Sequence, residues 1–186
     1  MGRSGQIETI TTPSARGVTM TDSPGAISVE DKTAVVIGGT SGIGFEIARA
    51  FARNGADVVA TSRSEDSVAD AAAELRDLGA ETTEVTCNVR DLESLENLKD
   101  AVVDELGGVD VLVNSAGSVA AAPVTEMTED EWDQDIDICL SGVFRAIKVF
   151  GDAMDEGSIV NISSMSADQS REARAATSPQ RPVSTD

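Results

Sequence analysis

The chain contains no histidine and no tyrosine, and only two cysteines among its 186 residues. Cys87 and Cys139 have no metal-like spacing and no imidazole to join them, which argues against a zinc or haem site; no metal is expected. Two isolated thiols do not make a disulfide scaffold and fit a reducing cytosol. Basic residues are scarce: 14 Lys and Arg against 33 Asp and Glu leave a net charge of −19. Such a surface repels polyphosphates and anionic lipids, so neither nucleic acid nor membrane is expected as a partner. The acid serves solubility, or marks a high-salt cytoplasm where screening removes the self-repulsion. No apolar run approaches membrane-spanning length and the N-terminus lacks the apolar core of a signal peptide, so a cytoplasmic location is expected. Aromatic residues are only 3% of the chain, but 40% is apolar, enough for one domain with a real core.

What is present begins with a strand-to-helix junction. Thr33-Ala34-Val35-Val36-Ile37 is an apolar, β-branched run that reads as a buried strand. It leads directly into Gly38-Gly39-Thr40-Ser41-Gly42-Ile43-Gly44, and an amphipathic segment from Ile43 to Arg53 follows. Glycine lets the chain turn sharply and lets its backbone approach a pyrophosphate, while a helix N-terminus offers free N–H groups and partial positive charge. The order strand, glycine turn, helix is the one a dinucleotide site needs.

Residues 1–30 read as a disordered N-terminal tail: Met1 to Ile27 is polar and rich in Gly, Ser and Thr. Two readings stay open, a genuine flexible tail or a true start at Met20. From Asp31, strands and helices alternate. Strands are expected at Ala56–Thr61, Thr82–Thr86, Val109–Val113 and Ser158–Ile162, and helices at Asp66–Leu78 and Asp91–Leu106. Thr128-Glu129-Asp130-Glu131 is a capping-box pattern that opens a long helix with apolar positions at Trp132, Ile136, Leu140, Phe144 and Ile147, ending near Met154. The alternation predicts an α/β fold with a doubly wound parallel sheet, Rossmann-type, over residues 31–168. After Asp168 the character changes. Residues 169–186 have no apolar pattern, and Arg171 to Pro182 holds three arginines and one acid in an otherwise acidic chain.

Three motifs in order carry a resemblance: the G-x-x-x-G-x-G of Gly38, Gly42 and Gly44; Asn114-Ser115-Ala116-Gly117 after an apolar strand; and a further strand ending in Ser163-Ser164. From Lys32 to Ser166 the chain resembles the classical short-chain dehydrogenase/reductase family. The resemblance implies an NAD(P)-dependent oxidoreductase that reduces a carbonyl or oxidises an alcohol. It places the pyrophosphate over Gly38 to Gly44, with Thr40, Ser41 and Ile43 in the turn. At the end of the second strand a cofactor without a 2′-phosphate prefers a carboxylate, but Ser62 and Arg63 stand there. A hydroxyl and a guanidinium attract the phosphate, so NADP(H) is expected over NAD(H). Asn88 and Val89 take the place of the family's Asp-Val pair against the adenine, Asn88 keeping an acceptor oxygen. Asn114 is expected to brace neighbouring strands while Ala116 and Gly117 let the backbone pass the ribose.

Catalysis departs from the family. Ser164 matches the serine that polarises the carbonyl. The asparagine of the family's water relay falls at Cys139, whose thiol is not expected to reproduce an amide's hydrogen-bonding pair. The family's Tyr-x-x-x-Lys is missing, because the chain has no tyrosine and no lysine after Lys148. The resemblance also implies a sixth and a seventh strand that complete the sheet and a C-terminal segment that closes the substrate pocket, and none of these is expected in this sequence. A shift of one base permits Tyr-x-x-x-Lys-Ala to begin beside Thr177, so a frameshifted tail is expected at 169–186. As written the chain is expected to be inactive toward the small carbonyl or alcohol substrate of an intact parent. The alternative is a non-catalytic dinucleotide-binding module or a non-functional relic. Family members assemble through the long helix and the tyrosine helix; only the first is recognisable, which weakens a homo-oligomer.

Overall fold

The computed structural model describes residues 28–118, 123 and 125–164. Most of the expected N-terminal tail and all of residues 169–186 lie outside the described residues. Four parallel strands form one sheet in the order β2-β1-β3-β4: β1 Thr33–Ile37, β2 Asp57–Thr61, β3 Val111–Asn114 and β4 Ser158–Asn161. All five residues of β1 are buried, as a β-branched run needs to be when both faces of the sheet are covered. Val35 stands opposite Val59 of β2 and Leu112 of β3, and Leu112 opposite Ile159 of β4.

Alternation along β1 sends its side chains to two cores. Ala34 and Val36 meet α1 (Gly42–Arg53) and α2 (Glu65–Asp77) through Ala48, Ala52, Ala71 and Leu75. Val35 and Ile37 meet α3 (Leu92–Leu106) and α5 (Gly142–Gly151) through Leu95, Leu98, Val102, Ala146 and Phe150. The first interface is built from alanine and the second from leucine and phenylalanine. Gly44, Ala48 and Ala52, one helical turn apart, let α1 lie close on the sheet. The result is the doubly wound parallel sheet. The folded region begins before Asp31: Val29 packs against the first core and its carbonyl accepts from Lys32 N–H at 3.1 Å.

Two expectations change. Thr82–Thr86 is not a strand. It is tied to β2 at its ends, Val58 N–H to Glu81 O at 3.0 Å and Cys87 N–H to Ser62 O at 2.8 Å. Side chains of β2 also bond backbone groups of this segment and of the residue before it. Thr61 Oγ1 donates to Val85 O at 2.5 Å and Asp57 Oδ1 accepts from Glu81 N–H at 2.8 Å. The long helix is also interrupted. It starts as expected, with a complete capping box between Thr128 and Glu131, but α4 (Glu129–Ile136) gives way to a π-helical turn at Asp137–Ser141 before α5. No described helix is long and apolar enough to cross a membrane.

Candidate dinucleotide site

The strand order reverses at β1: the chain moves outward to β2, then returns to place β3 on the other side of β1. A crevice opens beyond the C-terminal ends of the strands at such a switch point. Here it is a cavity of about 480 Å³. The turn after β1 supplies one wall with Gly38, Thr40, Ser41, Gly42, Ile43 and Gly44. Ser62 and Arg63 beyond β2 line it, as do Asn88 and Val89 and, beyond β3, Ala116 and Gly117.

Two glycines make the turn. Gly38 has φ +77°, and a Cβ there would sit 2.5 Å from Ala116 N, so the turns after β1 and β3 can approach only without a side chain. A Cβ on Gly44 would run into the Gly38 carbonyl. The turn is fixed from behind: Gly38 and Gly39 N–H both donate to Thr61 O, at 2.9 and 3.1 Å, and Ser115 N–H donates to Ile37 O at 2.8 Å.

The start of α1 differs from the other helices that begin from loops. Ser64 caps α2 by accepting from Ser67 N–H, Asp91 caps α3 through Glu93 N–H, and Thr128 caps α4 through Glu131 N–H. Ser41 makes no side-chain capping bond at α1, and no acid occupies the first turn. The first N–H groups of this helix therefore face the cavity with no side-chain acceptor. In a chain of net charge −19, no carboxylate among the described residues lines the cavity, and Arg63 does. Arg63 is exposed and forms no ion pair among the described residues.

The remaining predicted residues have defined surroundings. Asn88 Oδ1 accepts from Arg90 N–H at 3.2 Å, leaving its second lone pair for a ligand, and Asn88 N–H donates to Ser94 Oγ at 3.0 Å. Asn114 does not line the cavity. It is buried behind it, and its Nδ2 donates to Asn161 Oδ1 at 2.9 Å across β3 and β4. Ser164 is exposed and is not part of the cavity wall. Cys139 occupies the π-helical turn and is bonded both ways to the backbone of one residue, Ser118. Its Sγ accepts from Ser118 N–H at 3.5 Å and donates to Ser118 O at 3.4 Å. The thiol thus supplies the donor and acceptor that were not expected of it.

The cavity also includes Ile37, Cys87, Ser115, Ile138 and Ile162. Ser115 and Ile162 could have been found from their place in the motifs. Ile138 reaches the wall from the π-helical turn, which leaves no periodic signal. Cys87 is buried, and desolvation pushes its thiol up to about 11, so it is a protonated, inert wall at neutral pH.

Fold and site together define a dinucleotide-binding domain of the Rossmann type. Residues 32–178 match the family described as short chain dehydrogenase, and the chain belongs to that family. It is 39% identical over 143 residues to the D-threitol dehydrogenase of Mycolicibacterium smegmatis, covering 75% of this chain and 55% of that protein. It is 41% identical over 130 residues to a hydroxy-methyl-oxo-hexahydroindene-carboxyl-CoA reductase of Mycobacterium tuberculosis, covering 67% and 50%. The crystal structure of an NAD+-bound xylitol dehydrogenase is similar with a TM-score of 0.77 and 28% identity, over 80% of this chain and 59% of that one. The chain spans about half the length of the curated relatives it matches.

Proposed function

We propose that the chain is the nucleotide-binding part of an oxidoreductase that moves a hydride between a nicotinamide cofactor and an alcohol or carbonyl carbon. The observation that carries this reading is the charge of the cavity. A strongly acidic chain keeps every described carboxylate out of it and opens an uncapped helix N-terminus and a guanidinium onto it, as a pyrophosphate requires. Ser62 and Arg63 support NADP(H) as the preferred cofactor; the xylitol dehydrogenase binds NAD+, so the comparison to make is between the two. The substrate is a small alcohol or carbonyl compound, in keeping with a relative that is a D-threitol dehydrogenase.

This chain is read as lacking turnover, since it has no tyrosine to donate or accept the proton and Ser164 stands outside the cavity wall. Residues 169–186 are read as out of frame, and resequencing the gene beyond the Ser158 codon tests that. Any self-assembly is assigned to the α4–α5 face, where Trp132, Leu140 and Phe144 are exposed. The functional test is titration of the full chain with NADPH and NADH, followed by cofactor oxidation with a panel of carbonyls. Tighter NADPH binding without turnover is expected. Tighter NADH binding overturns the cofactor preference, and robust turnover overturns the inactivity.

A further inference from the structure

We propose that Arg145, acting with Asp137 and Arg90, is a positioning residue for the adenine half of the nucleotide. This rests on the dinucleotide reading of the cavity and goes beyond it by assigning a role to residues outside its wall.

The Asn88–Arg90 segment is a loop with no strand ladder to hold it. Three connections to the α4–α5 region replace one. Arg145 Nη1 donates to Val89 O at 3.3 Å. The Val89 side chain sits directly on the helix backbone at Gly142, where an added Cβ would stand 2.8 Å from Val89 Cγ2. Arg90 Nε donates to Asp137 Oδ2 at 2.9 Å while Arg145 Nη2 donates to Asp137 Oδ1 at 2.7 Å. One carboxylate therefore joins two guanidinium groups, one from the loop and one from the helix. Arg145 uses two nitrogens on three acceptors, Val89 O and the Asp137 carbonyl from Nη1 and Asp137 Oδ1 from Nη2, which a lysine ammonium on a single stem cannot do in the same geometry.

Asp137 also opens the π-helical turn that brings Ile138 to the cavity. The network thus joins the Asn88–Arg90 loop, assigned here to the adenine, to a second wall of the same cavity. Asp137 and Arg145 are a little over one-quarter exposed, so the pair is partly shielded from water and salt. A loop fixed before the ligand arrives does not have to be ordered on binding, and that saving is read as affinity. It also fixes the direction of the Asn88 carboxamide, and with it the discrimination of adenine from a base that carries a carbonyl in place of the amino group.

The experiment is calorimetric titration of the full chain with ADP-ribose and with its hypoxanthine counterpart. The ratio of the two affinities reads the orientation of Asn88, which a general loss of stability does not move. The unaltered chain is expected to favour ADP-ribose. Arg145→Met is expected to weaken ADP-ribose binding by about tenfold and to bring the ratio close to one. Arg76→Met, which removes an exposed ion pair to Glu84 elsewhere, is expected to leave both quantities unchanged. Should Arg145→Met fail to melt cooperatively, Arg90→Met decides; Arg90 is nearly half exposed, and its loss is expected to lower the ratio in the same direction. Unchanged affinity and ratio in the folded variants overturn the proposal. Failure of the unaltered chain to bind either ligand overturns the nucleotide reading itself, and this proposal with it.

Discussion

The two sides of the sheet are built to different standards. β1 and β2 are buried on both faces, and the turn that follows β1 is held by five close backbone constraints: three hydrogen bonds and two glycine contacts. β4 is exposed along its whole length, with Ile159 and Val160 at 39% and 42% exposure, and Ser164 stands beyond it outside the cavity wall. The turn side is over-determined, and among the described residues the β4 edge is open. Under the proposed function, nucleotide binding rests on the first side and not on β4, so it is expected to survive changes at the open edge.

The sharpest way to break this comparison is at Gly38. Gly38→Ala places a Cβ against the backbone of the neighbouring turn at positive φ, and nucleotide affinity is expected to fall on the order of a hundredfold, measured by calorimetry. An unchanged affinity would show that the turn is not the pyrophosphate site. Next comes stability. Leu112→Ala, in the fully buried centre, is expected to cost about 2–5 kcal/mol in urea unfolding, whereas Ile159→Thr, paired with it on β4, should stay within about 0.5 kcal/mol. Equal costs at the two positions would mean that the open edge is covered in solution.

The smallest effect concerns Asp110. Burial pushes its carboxyl up, but hydrogen bonds from Lys32 and from Thr33 N–H, with the lysine charge, hold it below the usual carboxylate range. A depressed folded value contributes stability that is complete above the ordinary aspartate value, about 3.9, and lost as pH falls through the lower folded one. Asp110→Asn is expected to lower the melting temperature slightly at neutral pH and to flatten the acid limb of its pH profile. A variant whose acid limb is as steep as the parent's would remove the Lys32–Asp110 tie from the account of how β1 and β3 are joined.

The cofactor side was legible in the sequence because its signals are local. A β-branched run, a glycine spacing and a following amphipathic segment are each read from neighbours in the chain, and Gly38 and Gly44 announce a steric demand that only glycine meets. What was not legible depends on residues far apart. Thr82–Thr86 has strand composition, but the hydroxyl of Thr61 on another strand takes the Val85 carbonyl, and the carboxylate of Asp57 takes the N–H of Glu81 just before it. The helix beyond Thr128 keeps its apolar spacing through Asp137–Ser141, and nothing in that spacing marks the wider turn that delivers Ile138. A thiol lacks an amide's strong donor and acceptor, but the partner of Cys139 is the backbone of one residue, Ser118, whose N–H and C=O ask only for one weak acceptor and one weak donor.

The uncapped start of α1 makes the folded state conditional on the small-molecule pool. A helix whose first N–H groups lack a side-chain acceptor is less stable, by roughly the 0.5–2 kcal/mol a cap supplies, until an anion completes it. A nucleotide present at a hundred times its dissociation constant adds about 2.7 kcal/mol to the native state by mass action. A nucleotide bound as proposed would then be a component of the fold: its concentration would bias the native fraction of this polypeptide and, with it, the chain's exposure to proteolysis.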